Sequence, residues 1–392
     1  MANNNNTKNL NVPTLRFPEF KGEWKLNILD SVCTFHNGRA YKQHELLSAG
    51  KYRVLRVGNF FTNDSWYYSD LELEEDKTAS DGELLYAWSA SFGPRFWKGE
   101  KVIYHYHIWK IDSFQEVCKE FLFYFLEKDA ASIKNEVQGG TMAHITKADM
   151  ERRNITYPTI CEQSKIARLL FLLDHRIATQ NKIIEKYESL IKGINEKLLI
   201  NKQEYTTYRL SDICEIRSGY SGTQLTGTQG LMVSRIETIS KHCINLDKVG
   251  YVKPFDSSAD FKLHIGDILF SNINSVQYIG NTAFVDREYD LYHGMNLLRL
   301  IPRKIVEPFY VFLLLNTAKY KIHFQSICNK AISQASINQT ELGKTVIHIP
   351  DLLYQKQICQ LYNSLYNKKN IENLYLQALK QQKNHLLRQM VI

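Results

Sequence analysis

The sequence predicts an α+β fold in which two duplicated globular domains are joined by two long helices that pair antiparallel about a pseudo-twofold axis. Two segments of about 40 residues carry the apolar spacing of coiled-coil helices. Short blocks of the first half recur in the second half in the same order, which is the pattern of a tandem duplication. Much of the remaining sequence consists of short β-rich runs separated by turn residues.

The first long segment, residues 159–204, follows Pro158 and begins at Thr159, which is a suitable N-cap. Apolar residues recur in it with the 3.5-residue period of a coiled-coil seam, which needs a partner helix to become buried. At roughly 1.5 Å per residue the helix would be about 60 Å long, too long for the interior of one compact domain. The predicted seam consists of Ile166, Leu170, Leu173, Ile177, Ile184, Ile191, Ile194 and Leu198.

The second long segment, residues 351–392, repeats this pattern at an offset of 192 residues, which also relates Gln163 to Gln355. We therefore expect the two segments to pair with each other within the chain. The apolar members of the second seam are Ile358, Tyr362, Leu365, Leu376, Leu379 and Leu386. The polar residues that interrupt it are Lys369, Glu372 and Lys383.

The duplication extends into the globular parts of the chain. WKLNIL at Trp24 parallels YRLSDI at Tyr208, and GELLYA at Gly82 parallels GDILFS at Gly266. The offsets between such blocks differ, which indicates loop insertions within one ancestral plan. We expect a first domain over residues 15–158 and a second over residues 205–350. Residues 1–14 are polar and Asn-rich, and the sequence predicts a disordered tail there.

The elements of each domain follow from β-rich runs, turn residues and helical stretches. In the first domain the sequence predicts strands at 51–57, 84–89, 101–111 and 155–158, a helix at 114–127 and a polar loop at 135–146. In the second it predicts strands at 210–216, 231–236, 267–271, 282–286, 297–302 and 345–349, a helix at 308–324 and a loop at 328–338.

The composition describes a globular protein of two or more domains, with 392 residues, 44% hydrophobic and 23% charged. A net charge of +8 suits a polyanionic partner without requiring one. Seven cysteines without any C-x-x-C spacing argue against a disulfide framework and a structural zinc site, and fit a reducing cytoplasm. Neither a signal peptide nor a membrane-spanning run is expected.

Motifs of catalysis are missing from the sequence, so no catalytic residue is predicted. There is no Pro-Pro for an amino-methyltransferase box, no phosphate-binding loop, no dinucleotide-binding glycine turn and no G-x-S-x-G elbow. His105 and His107 alternate along a predicted strand and would face the same side. We favour a packing or hydrogen-bonding role for them over a metal site, because no third ligand is apparent nearby. No metal site is therefore predicted.

Several blocks resemble a known family, in the order expected for it. They are PTLRFPEFKGEW at 13–24, GELLYAWSASFG at 82–93, GDILFSNINS at 266–275, and the loop–strand–helix junctions at 140–163 and 333–355. Nearly the whole chain resembles the specificity subunit of type I restriction–modification enzymes. The resemblance implies two target-recognition domains that each read half of a split double-stranded DNA sequence. It also implies helices that set the spacing and dock two modification subunits.

The same resemblance places S-adenosylmethionine in those methyltransferase subunits and implies that two translocase–nuclease subunits can join the complex. This chain would then be a non-catalytic reader without a cofactor of its own. Phosphate contacts supply affinity, while polar side chains on loops read base edges. The candidate DNA-binding residues of the first domain are His36, Asn37, Arg39, Ser89, Ser91, Arg95, Gln138, Gly139, Gly140, Thr141 and His144. Those of the second are Ser218, Tyr220, Ser221, Gln224, Asn272, Asn274, Gln277, Lys330, Ser333, Gln334 and Asn338.

Each candidate has a structural alternative. Arg39 and Arg95 could be solvated surface residues, and Trp88 is expected to fill a core more readily than to stack on a base. Arg56 and Arg235 occupy similar strand positions in both halves, so we expect structural salt bridges there. Two other functional classes stay open: a protein-binding adaptor built on the coiled coil, and an autonomous nuclease or methyltransferase, which the missing motifs disfavour.

Overall fold

The computed structural model describes residues 11–61, 63–89, 92–137, 145–198, 205–240, 242–330 and 334–392. It divides into two compact units, of which unit 1 comprises residues 1–181 and 374–392 and unit 2 comprises residues 182–373. Each unit combines a globular part with a segment of each long helix. Within the described ranges, no helix is long and apolar enough to cross a membrane.

Ten strands lie in the described residues of unit 1. They are β1 Lys25–Ile28, β2 Thr34–Asn37, β3 Tyr52–Leu55, β4 Tyr67–Ser69, β5 Thr78–Ala79, β6 Leu84–Ala87, β7 Gly93–Phe96, β8 Val102–Tyr104, β9 Ile108–Asp112 and β10 Asn154–Tyr157. The helices that begin in this unit are α1 Val57–Phe61, α2 Lys119–Val137, α3 Lys147–Glu151 and the long α4 Ile160–Leu198.

Unit 2 follows the same plan, with eleven strands in the part of it that the structure describes. They are β11 Thr206–Arg209, β12 Cys214–Ser218, β13 Leu231–Val233, β14 Gly250–Val252, β15 Ile268–Ser271, β16 Ile273–Asn274, β17 Thr282–Phe284, β18 Leu297–Pro302, β19 Asn329–Lys330, β20 Ala335–Ser336 and β21 Val346–Ile349. Its helices are α5 Leu210–Ile213, α6 Ser258–Phe261, α7 Pro308–Leu315, α8 Ala318–Ile327, α9 Gln339–Gly343 and the long α10 Leu352–Met390.

Both units are built on one antiparallel four-stranded sheet of the same topology. The strand order is β2-β9-β6-β7 in unit 1 and β12-β18-β15-β17 in unit 2. In each unit a two-stranded ribbon pairs the entering strand with the strand that leads into the long helix, β1 with β10 and β11 with β21. The predicted α+β class and its duplication are therefore confirmed.

Outside this shared sheet the two units differ. Unit 1 has a mixed sheet of order β4-β3-β8-β5, whereas unit 2 has the ribbon β13-β14 and a small sheet of order β16-β20-β19. The predicted strand over 101–111 is wrong, because residues 105–107 form a turn between β8 and β9. The predicted helix over 308–324 is interrupted between α7 and α8. There the side-chain amide of Asn316 donates to the carbonyl of Phe312, and the hydroxyl of Thr317 donates to the carbonyl of Leu314.

The start of the chain also differs from the prediction of a tail over residues 1–14. The carbonyl of Asn11 accepts a hydrogen bond of 2.8 Å from the backbone N–H of Trp24. Residues 11–14 are thus described next to the domain, and residues 1–10 lie outside the described ranges.

The core of each unit includes residues from both long helices. In unit 1, Ile166 and Leu170 of α4 and Leu387 of α10 belong to the same buried cluster as the sheet residue Trp109. In unit 2, Ile191 of α4 and Tyr362 of α10 belong to one cluster together with the sheet residues of that unit. Burial of such a side chain stabilises the fold by about 1.5–3 kcal/mol. The long helices are therefore parts of the domains as well as connections between them.

Polar contacts show that α4 and α10 run antiparallel within each unit. In unit 1, Arg176 donates to the hydroxyl of Tyr375 at 2.7 Å, and Lys383 lies 2.7 Å from Asp174 and 2.8 Å from Glu127. Lys383, expected to interrupt the seam, therefore has two carboxylate partners.

In unit 2, the hydroxyl of Tyr362 approaches the carbonyl of Ile191 at 3.5 Å. Lys369, the second lysine at an interrupting position, lies 3.8 Å from Glu188.

The structure buries most side chains of the predicted helix seam. The buried ones are Ile166, Leu170, Leu173, Ile184, Ile191, Ile358, Tyr362, Leu365, Leu376 and Leu379. Ile177, Ile194 and Leu386 are half-buried, and the side chain of Leu198 lies outside the described residues. Near the end of α10, Leu387 is more deeply buried than the predicted Leu386.

A buried glutamine attaches each long helix to its domain. Gln163 accepts a hydrogen bond from the N–H of Cys118 and donates to the carbonyls of Glu116 and Pro158, each at 2.8 Å. Its duplicate Gln355 accepts from the N–H of Glu307 at 2.9 Å and donates to the carbonyl of Pro350 at 2.8 Å. Both side chains are at most 1% exposed.

Replacing Gln355 by methionine keeps the side-chain size but leaves the N–H of Glu307 and the carbonyl of Pro350 without their buried partner. We expect the free energy of unfolding of unit 2 to fall by about 1–3 kcal/mol, measured by urea unfolding. Gln357→Met, at an exposed position two residues along the same helix, is the matched control and should change stability little. Equal stability of both variants would contradict this role.

Candidate nucleic-acid interface

One end of the shared sheet in each unit collects most of the loops predicted to read DNA. In unit 1, β2 and β6 end where β7 and β9 begin, as the pairs Asn37–Trp109, Ala87–Ile108 and Ala87–Gly93 show. In unit 2, β12 and β15 end where β18 begins, with Ser218 opposite Leu298 and Ser271 opposite Leu297. We call this the loop end of each unit: residues 37–41, 88–89 and 104–108 in unit 1, and residues 218–224, 272–281, 292–294, 329–330 and 334–338 in unit 2.

A glycine allows two chain segments to cross closely at each loop end. The N–H of Gly38 donates to the carbonyl of Ile108 at 3.2 Å, and a Cβ on Gly38 would collide with the carbonyl of His105. In unit 2 a Cβ on Gly219 would collide with the carbonyl of Gly294. The same backbone crossing therefore supports different neighbouring side chains in the two units.

Several candidates of unit 1 are held by partners within the protein. His36 lies with its Nε2 2.8 Å from a carboxylate oxygen of Asp112. Arg39 makes a bidentate pair with Glu45 at 2.7 and 3.1 Å, which, with a backbone hydrogen bond, lowers the pKa of Glu45 to about 2. Ser89 is 7% exposed. These three side chains are therefore less available for DNA than the sequence suggested.

Two candidates of unit 1 remain exposed. Asn37 ends β2 at the loop end, and Arg95 on β7 lies with its guanidinium 4.9 Å from the ring centroid of Phe61. The predicted residues Ser91, Gln138, Gly139, Gly140, Thr141 and His144 lie outside the described residues.

Trp88 has a core role and a role at the loop end at once. Its ring is half-buried and stacks on Trp109, with centroids 5.6 Å apart and planes 18° apart. Its indole N–H donates to the carbonyl of Tyr106 at 2.8 Å. Packing therefore accounts for the ring, while the indole N–H supports the turn that follows β8.

Residues 105–107 form that turn. They were not among the predicted DNA-binding residues, although the sequence drew attention to His105 and His107. The rings of His105 and His107 lie 4.9 Å apart, with Tyr106 4.3 Å from the first and 3.9 Å from the second. Burial, followed by the nearby His107 and Arg56, lowers the pKa of His105 to about 4. Among the described residues, no group of three or more His, Cys, Asp or Glu side chains could hold a metal.

In unit 2 a small sheet brings two predicted loops together. Residues 273–274 pair with 335–336, which pair in turn with 329–330. Asn274, Lys330 and Gln334 therefore lie on one surface element, followed along the first loop by the exposed Gln277. Ser333 lies outside the described residues.

Other candidates of unit 2 have structural partners. Asn272 donates to the carbonyl of Ile337 at 3.3 Å, and Asn274 bonds to Ser271 at 3.1 Å and to the N–H of Ser275 at 2.8 Å. Asn338 caps α9 by accepting from the N–H of Glu341 at 2.8 Å.

The ring of Tyr220 stacks on Phe255, with centroids 3.8 Å apart. Ser218 and Ser221 are exposed, and Gln224 is half-buried.

The two arginines expected in structural salt bridges behave differently. Arg235 lies 3.7 Å from Glu237, as an ion pair requires. Arg56 instead lies over the ring of Tyr67, 4.3 Å from its centroid, which is a cation–π contact.

Each shared sheet contains an ion pair at equivalent positions, which the sequence analysis did not find. Lys110 lies 2.7 Å from Glu83 in unit 1, and Arg299 lies 2.7 Å from Asp267 in unit 2. Both cations are on the strand before α2 or α7, opposite Leu85 and Leu269 respectively. Arg299 and Asp267 are each 4% exposed at the side chain, and burial raises the pKa of Asp267.

Comparison with known proteins gives a match over most of the chain. The family model described as "Type I restriction modification DNA specificity domain" matches residues 21–189 and again residues 202–381. A putative type I restriction enzyme MjaX specificity subunit from Methanocaldococcus jannaschii is 38% identical over 193 residues, which are 48% of this chain and 45% of the relative. The chain thus spans less than half the length of that relative.

Two longer matches cover most of the chain. The type I restriction enzyme MjaVIII specificity subunit of the same organism is 23% identical over 79% of this chain and 78% of the relative. The crystal structure of a type I restriction–modification S subunit from M. genitalium superposes with a TM-score of 0.60 at 15% identity, over 97% of this chain and 99% of that one. At 15% identity, the match to the M. genitalium structure shows that the fold is shared.

Removing one member of the buried ion pair leaves the other charge without compensation. We expect Arg299→Met to lower the free energy of unfolding by about 3–5 kcal/mol, and Asp267→Asn in the same chain to restore much of that loss. Arg217→Met is the matched control, because Arg217 lies opposite Arg299 in the sheet and forms an exposed pair with Glu215. Thermal or urea unfolding measures all three, and a loss for Arg217→Met as large as that for Arg299→Met would exclude the proposed role of burial.

Proposed function

The chain belongs to the family of type I restriction–modification DNA specificity subunits, and from this premise we propose that each of its two units reads one half of a bipartite DNA target. The resemblance seen in the sequence is thereby confirmed, and the family domain is present twice.

One observation supports recognition of two different half-sites by the two units: the sheet framework is repeated, while the side chains of the loop ends differ. The four-stranded sheet, the glycine crossing and the ion pair recur in both units. The loop end of unit 1 carries aromatic and histidine side chains at 105–107, whereas that of unit 2 carries the amides of Asn272, Asn274, Gln277 and Gln334 and the lysine Lys330. A repeated frame with different side chains is what recognition of two different half-sites requires.

The charge of the chain supports a polyanionic partner. A formal charge of +8 favours association with DNA phosphates, with an affinity that falls as salt rises. Base discrimination would come from the exposed polar residues at the loop ends, of which Asn37, Gln277, Lys330 and Gln334 are examples.

The long helices would set the distance between the two half-sites. α4 and α10 contain 39 residues each, and a helix of that size is about 58 Å long. Neighbouring half-sites on one face of DNA are about 34–36 Å apart. Antiparallel pairing of the helix segments within each unit supports a fixed length for this spacer.

Exposed apolar residues on the helices support docking of methyltransferase subunits there. In unit 1, Phe171 and Leu374 are 51% and 65% exposed, and in unit 2 Leu353 and Ile371 are 67% and 63% exposed. Large apolar side chains exposed at several positions along otherwise polar helices offer apolar area for a partner to cover. The proposed partners are two methyltransferase subunits, with two translocase–nuclease subunits joining them.

The chain itself would be non-catalytic, with S-adenosylmethionine held by the methyltransferase subunits. This assignment rests on the family and on the missing sequence motifs. The seven cysteines are unpaired, which supports the proposed location in the reducing cytoplasm.

A protein-binding adaptor is the alternative, and it has a simple test. Filter binding of the purified chain to random DNA duplexes should show retention that weakens with salt if the chain reads DNA. An adaptor that binds only proteins would show no such retention.

Co-expression with its methyltransferase partner, followed by methylation-sensitive sequencing of the host DNA, tests the function directly. We expect one new methylated motif of two short blocks around a fixed gap. Exchanging the loop-end residues of one unit should change one block and leave the other. An intact complex that produces no new motif would refute the assignment.

The helix length gives a second prediction. Deleting seven residues between Ile177 and Ile191 shortens α4 by about 10.5 Å, equivalent to about three base pairs at 3.4 Å each. We expect a shorter gap between the two blocks and unchanged blocks, read from the same sequencing experiment. An unchanged gap would show that the helix does not act as a ruler.

A further inference from the structure

We propose that Tyr106, at the tip of the turn between β8 and β9, is a base-contacting and specificity-determining residue of unit 1. The inference rests on the proposed DNA-reading function and adds a residue that the sequence analysis did not include. It follows from the exposure of this side chain, the rigidity of its turn and the internal partners of its neighbours.

Tyr106 projects from the loop end while its neighbours are covered. Its side chain is 40% exposed, whereas His105 and His107 are half-buried. The ring lies 3.9 Å from that of His107, 4.3 Å from that of His105 and 6.2 Å from that of Trp88. An exposed aromatic ring at the tip of such a cluster can enter a DNA groove and keep its contacts with the neighbouring rings.

Hydrogen bonds to three other segments hold the turn in place. The N–H of His105 donates to the carbonyl of Leu55 at 2.9 Å, and the N–H of Tyr106 donates to the carbonyl of Arg39 at 3.1 Å. On the third side, Trp88 donates its backbone N–H to His107 at 3.1 Å and its indole N–H to Tyr106 at 2.8 Å. A side chain on such a turn is positioned before binding, which is the condition for discrimination between bases.

Several polar side chains in this loop end or next to it are engaged within the protein. Arg39 is paired with Glu45 and His36 with Asp112, as described above. Ser89 is buried. Among the described residues of the unit 1 loop end, this leaves Tyr106 and Asn37 as prominent exposed groups able to contact a base.

The chemistry of the turn favours bases over phosphates. A tyrosine ring can contact a thymine methyl group or the face of a base, and its hydroxyl can donate to or accept from a base edge. Neither contact neutralises a phosphate, so neither releases counterions. The low pKa of His105, about 4, keeps its imidazole uncharged at neutral pH, in agreement with a turn that does not act as a phosphate clamp.

The experiment compares the complex of wild-type chain and methyltransferase with complexes that carry Tyr106→Ala or Tyr106→Phe. Affinity is measured for the methylated motif and for duplexes with each base pair of both half-sites exchanged, at several salt concentrations. We expect Tyr106→Ala to weaken binding of the original target about 5- to 150-fold, the fold-change that corresponds to about 1–3 kcal/mol. Discrimination should be lost at one or two adjacent positions of one half-site.

The second half-site is the internal control and should be read as in the wild type. The slope of affinity against salt should also stay unchanged, because no phosphate contact is removed. Tyr106→Phe separates the two contributions: it retains discrimination if the ring makes the contact and loses it if the hydroxyl does. Urea unfolding of each variant shows that unit 1 remains folded.

Unchanged preference at every position in a folded Tyr106→Ala complex would overturn the inference. A uniform loss over all sequences with a smaller salt slope would overturn it as well, since that result describes a phosphate contact. Both outcomes leave the wild-type split motif in place. Failure of the proposed function is distinguishable, because then the wild-type complex itself would show neither a split motif nor salt-dependent DNA binding.

Discussion

The buried amide of a single glutamine determines how each domain continues into its long helix. Gln163 and Gln355 bond to the backbone at the start of one domain helix and to the carbonyl of the proline that precedes the long helix. A buried amide without these hydrogen-bond partners would lower the stability of the fold. The glutamine, the proline before the long helix and the start of the domain helix must therefore keep one arrangement. The direction in which each long helix leaves its own domain follows from this arrangement, and the helix seam and core packing depend on that direction.

The structure separates the residues that maintain the frame from those that face outward. The ion pairs Glu83–Lys110 and Asp267–Arg299 join a sheet strand to the residue that precedes the neighbouring strand. Gly38 and Gly219 permit the chain crossings at the loop ends. None of these features depends on the exposed side chains of the loops. Substitutions of the exposed side chains at the loop ends can therefore change recognition with little effect on stability, since exposed positions contribute little to the free energy of unfolding.

Periodic and duplicated features of the fold were predictable from sequence. One offset relates the seam of α4 to that of α10, the two prolines before the long helices, and the paired glutamines. Their agreement supported the prediction of a duplication. The side-chain pairs were not predictable: Lys110 pairs with Glu83, which precedes the neighbouring strand β6, and Arg39 pairs with Glu45, six residues further along the chain. The turn at 105–107 was missed because YHYH contains neither glycine nor proline and reads as a continuous strand, although a backbone crossing bends it. Lys383 seemed to weaken the seam because its partners Asp174 and Glu127 are on other helices.

Unit 1 is built from two separate segments of the chain, and this affects how it folds during synthesis. Its buried cluster includes Leu387, Met390 and Val391, which the ribosome adds about two hundred residues after the rest of that cluster. Unit 2 is continuous in sequence and can complete its core earlier, although it starts later. During synthesis, unit 1 keeps apolar surface uncovered until the end of α10 emerges. Chaperone dependence and aggregation of nascent chains should therefore concentrate in the N-terminal half.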